Sequence, residues 1–243
     1  MSFDVDIFLA ALTSRALREG VVMTIALTVV SFAVGILLGL GVALLRSSRN
    51  VVARSIGWTY IWLFRALPTL ILLFLVWYAL PQLIPALHGP QFLPFYAAAI
   101  ALSVNEGAYA AEIIRGGLLS IDDGQRLAAR ALGMQPRTVF RRIVLPQVIR
   151  VITPALSNDF ITMLKLTSLA YAVSLRELLT MSQIQVATSF RFAEWYGAAA
   201  IYYLVIVSAF MALQAWFERR YVWASHQKGR RFGGLRAFQD AAR

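Results

Sequence analysis

Several polar side chains of this sequence fall inside otherwise apolar runs, and their spacing is regular. Asn105, Tyr109 and Glu112 stand at i, i+4 and i+7, which puts them on one helix face, with Glu106 beside that stripe. Asn158, Thr162 and Lys165 repeat the same spacing, and Arg65 and Thr69 stand one turn apart. Such groups are costly in apolar surroundings, so they face a bundle interior or an aqueous cavity. There they bind a polar solute, or they pair with one another. Glu112 and Arg115, at i and i+3, are placed to pair in that second way, and Arg65 can pair with an acidic group. Asp159 is read as an exposed interfacial residue. Catalysis finds little support. Glu106 and Glu112 point to different helix faces and make a poor acid/base pair. There is no cysteine, and His88 and His226 are far apart in expected loops, so no metal site is expected.

The elements that must carry these residues are read from composition. The chain has 243 residues, 59% hydrophobic and 14% charged, with mean hydropathy +0.67. A soluble domain carries about 25% charged residues. Inside a bilayer only helices and closed barrels satisfy the backbone, and long apolar runs without alternation select helices. The expected fold class is therefore an all-α integral membrane protein with about five transmembrane helices. The spans are placed at about 20–45, 58–80, 92–114, 147–175 and 195–217. Pro68 lies inside the second span and Pro154 breaks the fourth. Gly35, Gly39 and Gly41 offer small surfaces for close helix approach. Trp58, Trp62, Trp77, Tyr78, Trp195 and Trp216 fall near span ends and are read as interfacial anchors. No cleavable signal is visible in residues 1–20, so the first span is expected to target the chain to the membrane.

The net charge of +11 would suit nucleic acid, but the basic residues flank the apolar runs instead. Of the 23 Lys and Arg, 17 fall in the first loop, the third loop and the tail, and 4 on the opposite side. Basic residues collect on the cytoplasmic side, so the N-terminus is expected outside and the C-terminus inside, with 219–243 a basic cytoplasmic tail.

Residues 121–146, IDDGQRLAARALGMQPRTVFRRIVLP, are neither apolar nor tail-like. Asp122 or Asp123 can cap a helix that Gly133 ends, and Pro136 can start a second that Pro146 closes. Leu127, Ala131, Leu132, Phe140 and Ile143 supply apolar surface. A cytoplasmic knob and an amphipathic helix on anionic lipid are both open readings of this segment.

The segment resembles the cytoplasmic coupling loop of ABC-transporter permease subunits, whose signature is Glu-Ala-Ala, then Gly four positions on, then Ile-x-Leu-Pro. The matching residues are Leu127, Ala128 and Ala129, then Gly133, then Ile143, Val144, Leu145 and Pro146; Leu127 replaces the signature Glu, while Arg126 and Arg130 remain nearby. Further stretches resemble the polar-amino-acid branch of bacterial importers: residues 64–68 (FRALP), 109–117 (YAAEIIRGG), 164–169 (LKLTSL), and Leu145, Pro146 and Gln147 followed by Arg150 and Pro154. The resemblance covers about 18–218 and implies a type I-like importer transmembrane domain over 1–218.

It implies a permease subunit that forms the substrate path and docks an ATPase through 121–146. Leu127, Ala128, Ala129, Arg130, Gly133, Leu145 and Pro146 carry that coupling. It further implies two ATPase subunits, a second permease subunit (identical or a paralogue), an extracytoplasmic binding protein, an amino-acid substrate, and a bacterial inner membrane. The substrate residues would be Lys165 or Arg65 for the carboxylate and Glu106 and Asn105 for the ammonium, with Thr69, Thr167 and Ser168 around them. Leu166 stands where an acidic residue often follows the lysine in the family, which weighs against a strongly cationic substrate without excluding one. No glycine-rich phosphate-binding run is present, so the chain is expected to be no enzyme and to bind no cofactor, with ATP and Mg on the partner ATPase. The alternative is a carrier driven by an ion gradient, though no inverted repeat is evident.

Overall fold

The computed structural model describes residues 3–87 and 89–221, and every regular element among them is helical. His88, His226 and the tail beyond 221 lie outside the described residues. A short helix, α1 (Val5–Leu12), begins at Asp4, whose carboxylate accepts from the Asp6 and Ile7 N–H groups at 3.0 and 3.2 Å. Ser14 caps α2 (Arg15–Arg46), and Asn50 caps α3 (Val51–Ala66). α4 (Thr69–Phe74) continues through a π turn (Leu75–Ala79) into α5 (Leu80–Leu83). Then come α6 (Pro94–Leu119), α7 (Asp123–Ala131) and α8 (Pro136–Val139), and a second π turn (Phe140–Val144) joins α8 to α9 (Leu145–Leu166). A 3-10 stretch (Thr167–Val173), α10 (Leu178–Ser189) and α11 (Phe192–Tyr221) complete the order.

Among the described residues, two helices are long and apolar enough to cross a membrane by themselves, Arg15–Arg46 and Phe192–Trp216; a third candidate is the pair Val51–Ala66 and Thr69–Leu83, bent by 104°. α6 and α9 reach 26 and 22 residues but carry the polar stripes, which lower their hydropathy.

The prolines behave differently from expectation. Pro68 does not ride inside one helix. It separates α3 from α4, because its ring excludes the carbonyl four residues back and holds Leu67 extended (φ −77°, ψ 130°). Pro154 does not break α9, which runs through it. Pro146 does not close the second loop helix. There the π turn shifts the hydrogen-bond register, so that the Leu145 N–H bonds Phe140 O five residues back, and the helix passes the proline into α9. The mixed loop expected after 175 contains α10, started by Glu177.

The core is built on α2 against α6, running in the same direction. A Cβ on Gly35 would lie 2.5 Å from Glu106 Cγ, and one on Gly39 would lie 2.6 Å from Ala110 Cβ. Gly41, the third glycine of the expected contact, has nothing within 4 Å. Along α6, Ala97, Ala98, Ala101, Ala108, Ala110 and Ala111 are all fully buried, and Ala110 and Ala111 meet Gly39. Lipid is as apolar as these side chains, so close van der Waals approach holds this pair together.

At the other end of α2, Gly20 lets the start of α10 approach, and the Leu178 N–H donates to Thr24 Oγ1 at 3.2 Å. Glu177 is fully buried and accepts from the Leu179 and Thr180 N–H groups, Thr180 Oγ1 and the Tyr203 hydroxyl. Four donors satisfy this carboxylate, so it fastens α10 to α11 rather than serving a solute. The Tyr202 hydroxyl similarly ties α11 to α1, donating to Leu12 O at 2.7 Å.

Candidate functional site

Two irregular points of the fold meet against the middle of α6. Pro68 has no N–H to offer, so the Phe64 carbonyl loses its helical partner. Asn105 supplies one: its Nδ2 donates to Phe64 O at 2.9 Å, and Asn105 is 4% exposed. One turn earlier, the Tyr60 hydroxyl donates to Val104 O at 2.8 Å. The middle of α6 thus supports the α3–α4 break. On the other side of the same core, Leu72, Leu73 and Val76 pack with Leu102, Met163, Ala170 and Val173, which brings in the end of α9 and the 3-10 stretch.

At that switch the Thr167 hydroxyl bonds Leu164 O at 2.7 Å and the Ser168 hydroxyl bonds Lys165 O at 2.8 Å. Both donors are spent on the local backbone, which leaves their oxygens as acceptors. Lys165, in the last turn of α9, is exposed, and Thr69, the first residue of α4, is half-buried. Thr69, Asn105, Lys165 and Ser168 therefore belong to elements that the fold packs together. Helices that break in mid-bundle are where membrane transporters expose backbone groups to a polar solute.

Glu106 looks the other way, toward α2. It is 5% exposed, and its Oε1 has no hydrogen-bond partner among the described residues. Asp159 of α9 lies within electrostatic reach, and its Oδ2 is also buried without a partner. The edge-to-face contact of Phe32 with Phe160, 5.1 Å between centroids, brings α2 and α9 together at this level. The fully buried Ser31 hydroxyl, one turn from Gly35, is a third polar atom without a partner. Asp159 is thus no exposed interfacial residue, and Ser31 was not singled out. Nothing in the spacing of either residue announces the other helix.

Arg65 occupies a third place. Its guanidinium lies 5.3 Å from the Tyr109 ring centroid, and both line a cleft of about 480 Å³ with Arg46, Glu112 and Arg115. Glu112 pairs with Arg115 at 2.8 Å. The stripe Asn105, Tyr109 and Glu112 does share a face, directed at α3. The stripe Asn158, Thr162 and Lys165 is tied toward α11, since Gln214 Nε2 donates to Asn158 Oδ1 at 3.1 Å.

The loop between α6 and α9 is a compact knob. Asp122 accepts from the Gly124 N–H at 2.7 Å to start α7. Gly133, at φ +78°, ends it, with Gly133 and Met134 N–H bonding Arg130 O and Ala129 O. Ala129 packs inward with Ile121, Val139, Val144 and Val148. Leu127, Ala128 and Arg130 face outward, Leu127 at 64% and Leu132 at 83% exposure. Leu145 and Pro146 form the exposed first turn of α9.

Residues 35–223 match the family model described as the binding-protein-dependent transport system inner membrane component. The chain belongs to this family. It is 38% identical over 203 residues to the probable amino-acid permease protein YxeN of Bacillus subtilis, covering 84% of this chain and 90% of that protein. It is 37% identical over 227 residues to the octopine transport system permease protein OccM of Rhizobium meliloti, covering 90% and 91%. Its fold matches a solved amino acid ABC transporter, crystallised with histidines, with a TM-score of 0.82 and 34% identity over 90% of this chain and all of that one. The resemblance to amino-acid ABC importer permeases is thereby established, and this permease is an ABC importer subunit of the amino-acid type rather than a gradient-driven carrier.

Proposed function

We propose that this permease carries an amino acid with a cationic side chain, gripping it between the broken helices and the buried carboxyl groups. Lys165 answers the substrate carboxylate, with Thr69, Asn105 and Ser168 completing the polar wall. Glu106, with Asp159 behind it, answers the cation. The observation that carries this reading is that Glu106 Oε1 and Asp159 Oδ2 are each buried without a partner among the described residues, within electrostatic reach of each other. A buried carboxyl group either keeps its proton or takes a counter-charge, and an arriving guanidinium or ammonium would supply one. The likeness to an octopine permease supports the same class, since octopine bears a guanidinium. Arg65, directed at Tyr109 in a separate cleft, belongs to the path rather than to the grip.

Five spans with the N-terminus outside and the basic segments inside follow from the charge bias. Leu127, Ala128, Arg130 and Leu132 form the outward face of the knob, which docks a separate ATPase holding ATP and Mg. A second permease subunit and an extracytoplasmic binding protein complete the importer, in a bacterial inner membrane.

The test is uptake into liposomes by the permease reconstituted with its ATPase and binding protein. Basic amino acids should enter in an ATP-dependent way and neutral ones poorly. Glu106→Gln should lower uptake of basic amino acids by about ten- to a hundredfold, the range for losing a charged hydrogen bond, with assembly intact. Lys165→Ala should lower all uptake. Equal transport of neutral and basic amino acids by the unaltered protein would overturn the assignment.

A further inference from the structure

Arg65 lies off the grip, and the cleft it lines has a chemistry of its own. Trp58, Trp62 and Arg65 stand at i, i+4 and i+7 on α3, and Tyr109, Glu112 and Arg115 follow Asn105 along α6. Arg46, the last residue of α2, joins the same lining. Three guanidinium groups thus share one carboxylate. Arg115 takes it in bidentate form, Nε to Oε1 at 3.1 Å and Nη2 to Oε2 at 2.8 Å. Glu112 is also within electrostatic reach of Arg46 and Arg65, but neither of these makes an ion pair among the described residues. Arg65 lies over the Tyr109 ring, and a guanidinium held by its face keeps its N–H donors free in its plane.

The cleft starts beside the grip and runs toward the knob. Arg65 is one turn before Thr69, and Tyr109 is one turn after Asn105, whose amide holds Phe64 O at 2.9 Å. These contacts tie Arg65 to the middle of the 26-residue α6. At the other end Gly57 packs on Arg46, where an added Cβ would lie 3.0 Å from Arg46 N. Gly57 and Arg65 are eight residues apart on α3, about 12 Å. Arg115 lies one turn before the end of α6 at Leu119, from which the chain enters the knob.

We infer that this cleft is a second amino-acid subsite, which takes the carboxylate of the leaving substrate at Arg65 and then at Arg46. Its volume of about 480 Å³ falls within the roughly 300–1,000 Å³ of small-ligand sites. Planar guanidinium donors match a carboxylate. The parallel indoles of Trp58 and Trp62, 6.0 Å between centroids, offer their faces to a substrate ammonium. The inference rests on the grip's place between the broken helices, but it reads the group that every amino acid carries, so it does not depend on side-chain charge. Other anions fit less well. A phospholipid headgroup stays near the end of a span, whereas Arg65 is held at the middle of α6. A second copy of this chain has three carboxylates in its expected spans: Glu106 and Asp159, each with a buried oxygen, and Glu112, which Arg115 holds.

The test uses the permease assembled with its ATPase in detergent, without the binding protein, and reads tryptophan fluorescence during titration with free amino acids to millimolar concentration. Arginine and glutamine should both shift the emission, and agmatine, which is arginine without its carboxylate, should not. Replacing both indoles, Trp58→Phe with Trp62→Phe, should abolish the response. Arg65→Gln and, as an independent variant, Arg46→Gln should each weaken it about ten- to a hundredfold, the range for losing a charged hydrogen bond. Lys165→Ala and Glu106→Gln, which alter the grip, should leave it unchanged, so the subsite stands even where uptake proves indifferent to side-chain charge. The inference is overturned by no response of the unaltered complex, by an agmatine response equal to that of arginine, or by a response that survives loss of both indoles or of both arginines. Displacement of arginine by short-chain phosphatidylglycerol would overturn it in favour of a lipid site. Dissociation of the permease pair in Arg65→Gln, with the response kept, would make the cleft a contact between subunits instead.

Discussion

Asn105 and Glu106 are neighbours in sequence with separate tasks, because a step of one residue turns a helix by about 100°. Asn105 spends its amide on the carbonyl that Pro68 releases, at 2.9 Å. Asn105→Ala leaves that carbonyl without a partner and should destabilise the fold by about 1–3 kcal/mol, read as a lowered Tm in detergent. If the Tm of this variant is unchanged while uptake falls, Asn105 acts on substrate rather than on the break. Glu106 keeps an oxygen free, and its Gln variant is expected to change substrate preference rather than stability.

Among the elements, the α2–α6 pair and the loop knob make separable demands. Gly35 and Gly39 are closed by Glu106 and Ala110, whereas Gly41 faces open space. Gly39→Leu should destabilise by about 1–3 kcal/mol through overpacking, and Gly41→Leu should leave Tm unchanged. Both can be read from thermal unfolding of the purified permease. In the knob, Gly133 donates its N–H to Arg130 O from a left-handed backbone. Gly133→Pro removes that donor and cannot adopt φ +78°. The variant should insert into the membrane normally yet fail to co-purify with the ATPase, and normal co-purification would end the coupling assignment.

For the whole molecule, the charge bias predicts which side each loop faces, and the absence of cysteine makes the test direct. A single Thr13→Cys should react with an impermeant maleimide in intact spheroplasts, whereas Leu132→Cys should react only after permeabilisation. The reverse pattern would invert the topology and remove the loop from the ATPase side.

The sequence by itself determined the helical membrane class, because composition and uninterrupted apolar runs leave few other ways to satisfy a backbone in lipid. It also determined the helix stop at Gly133, narrowed the cap to Asp122 or Asp123, and carried the motifs that point to the family, since these depend on residues close together in the chain. Tertiary structure decided what the prolines do. A missing N–H is tolerated at Pro146 by a π turn and within α9 at Pro154, yet ends the helix at Pro68, where Asn105 from another helix takes up the freed carbonyl. It also decided which polar residues meet. Glu106 and Asp159 lie on two helices, and a one-dimensional pattern holds each helix's own faces but not the faces its neighbours turn toward it.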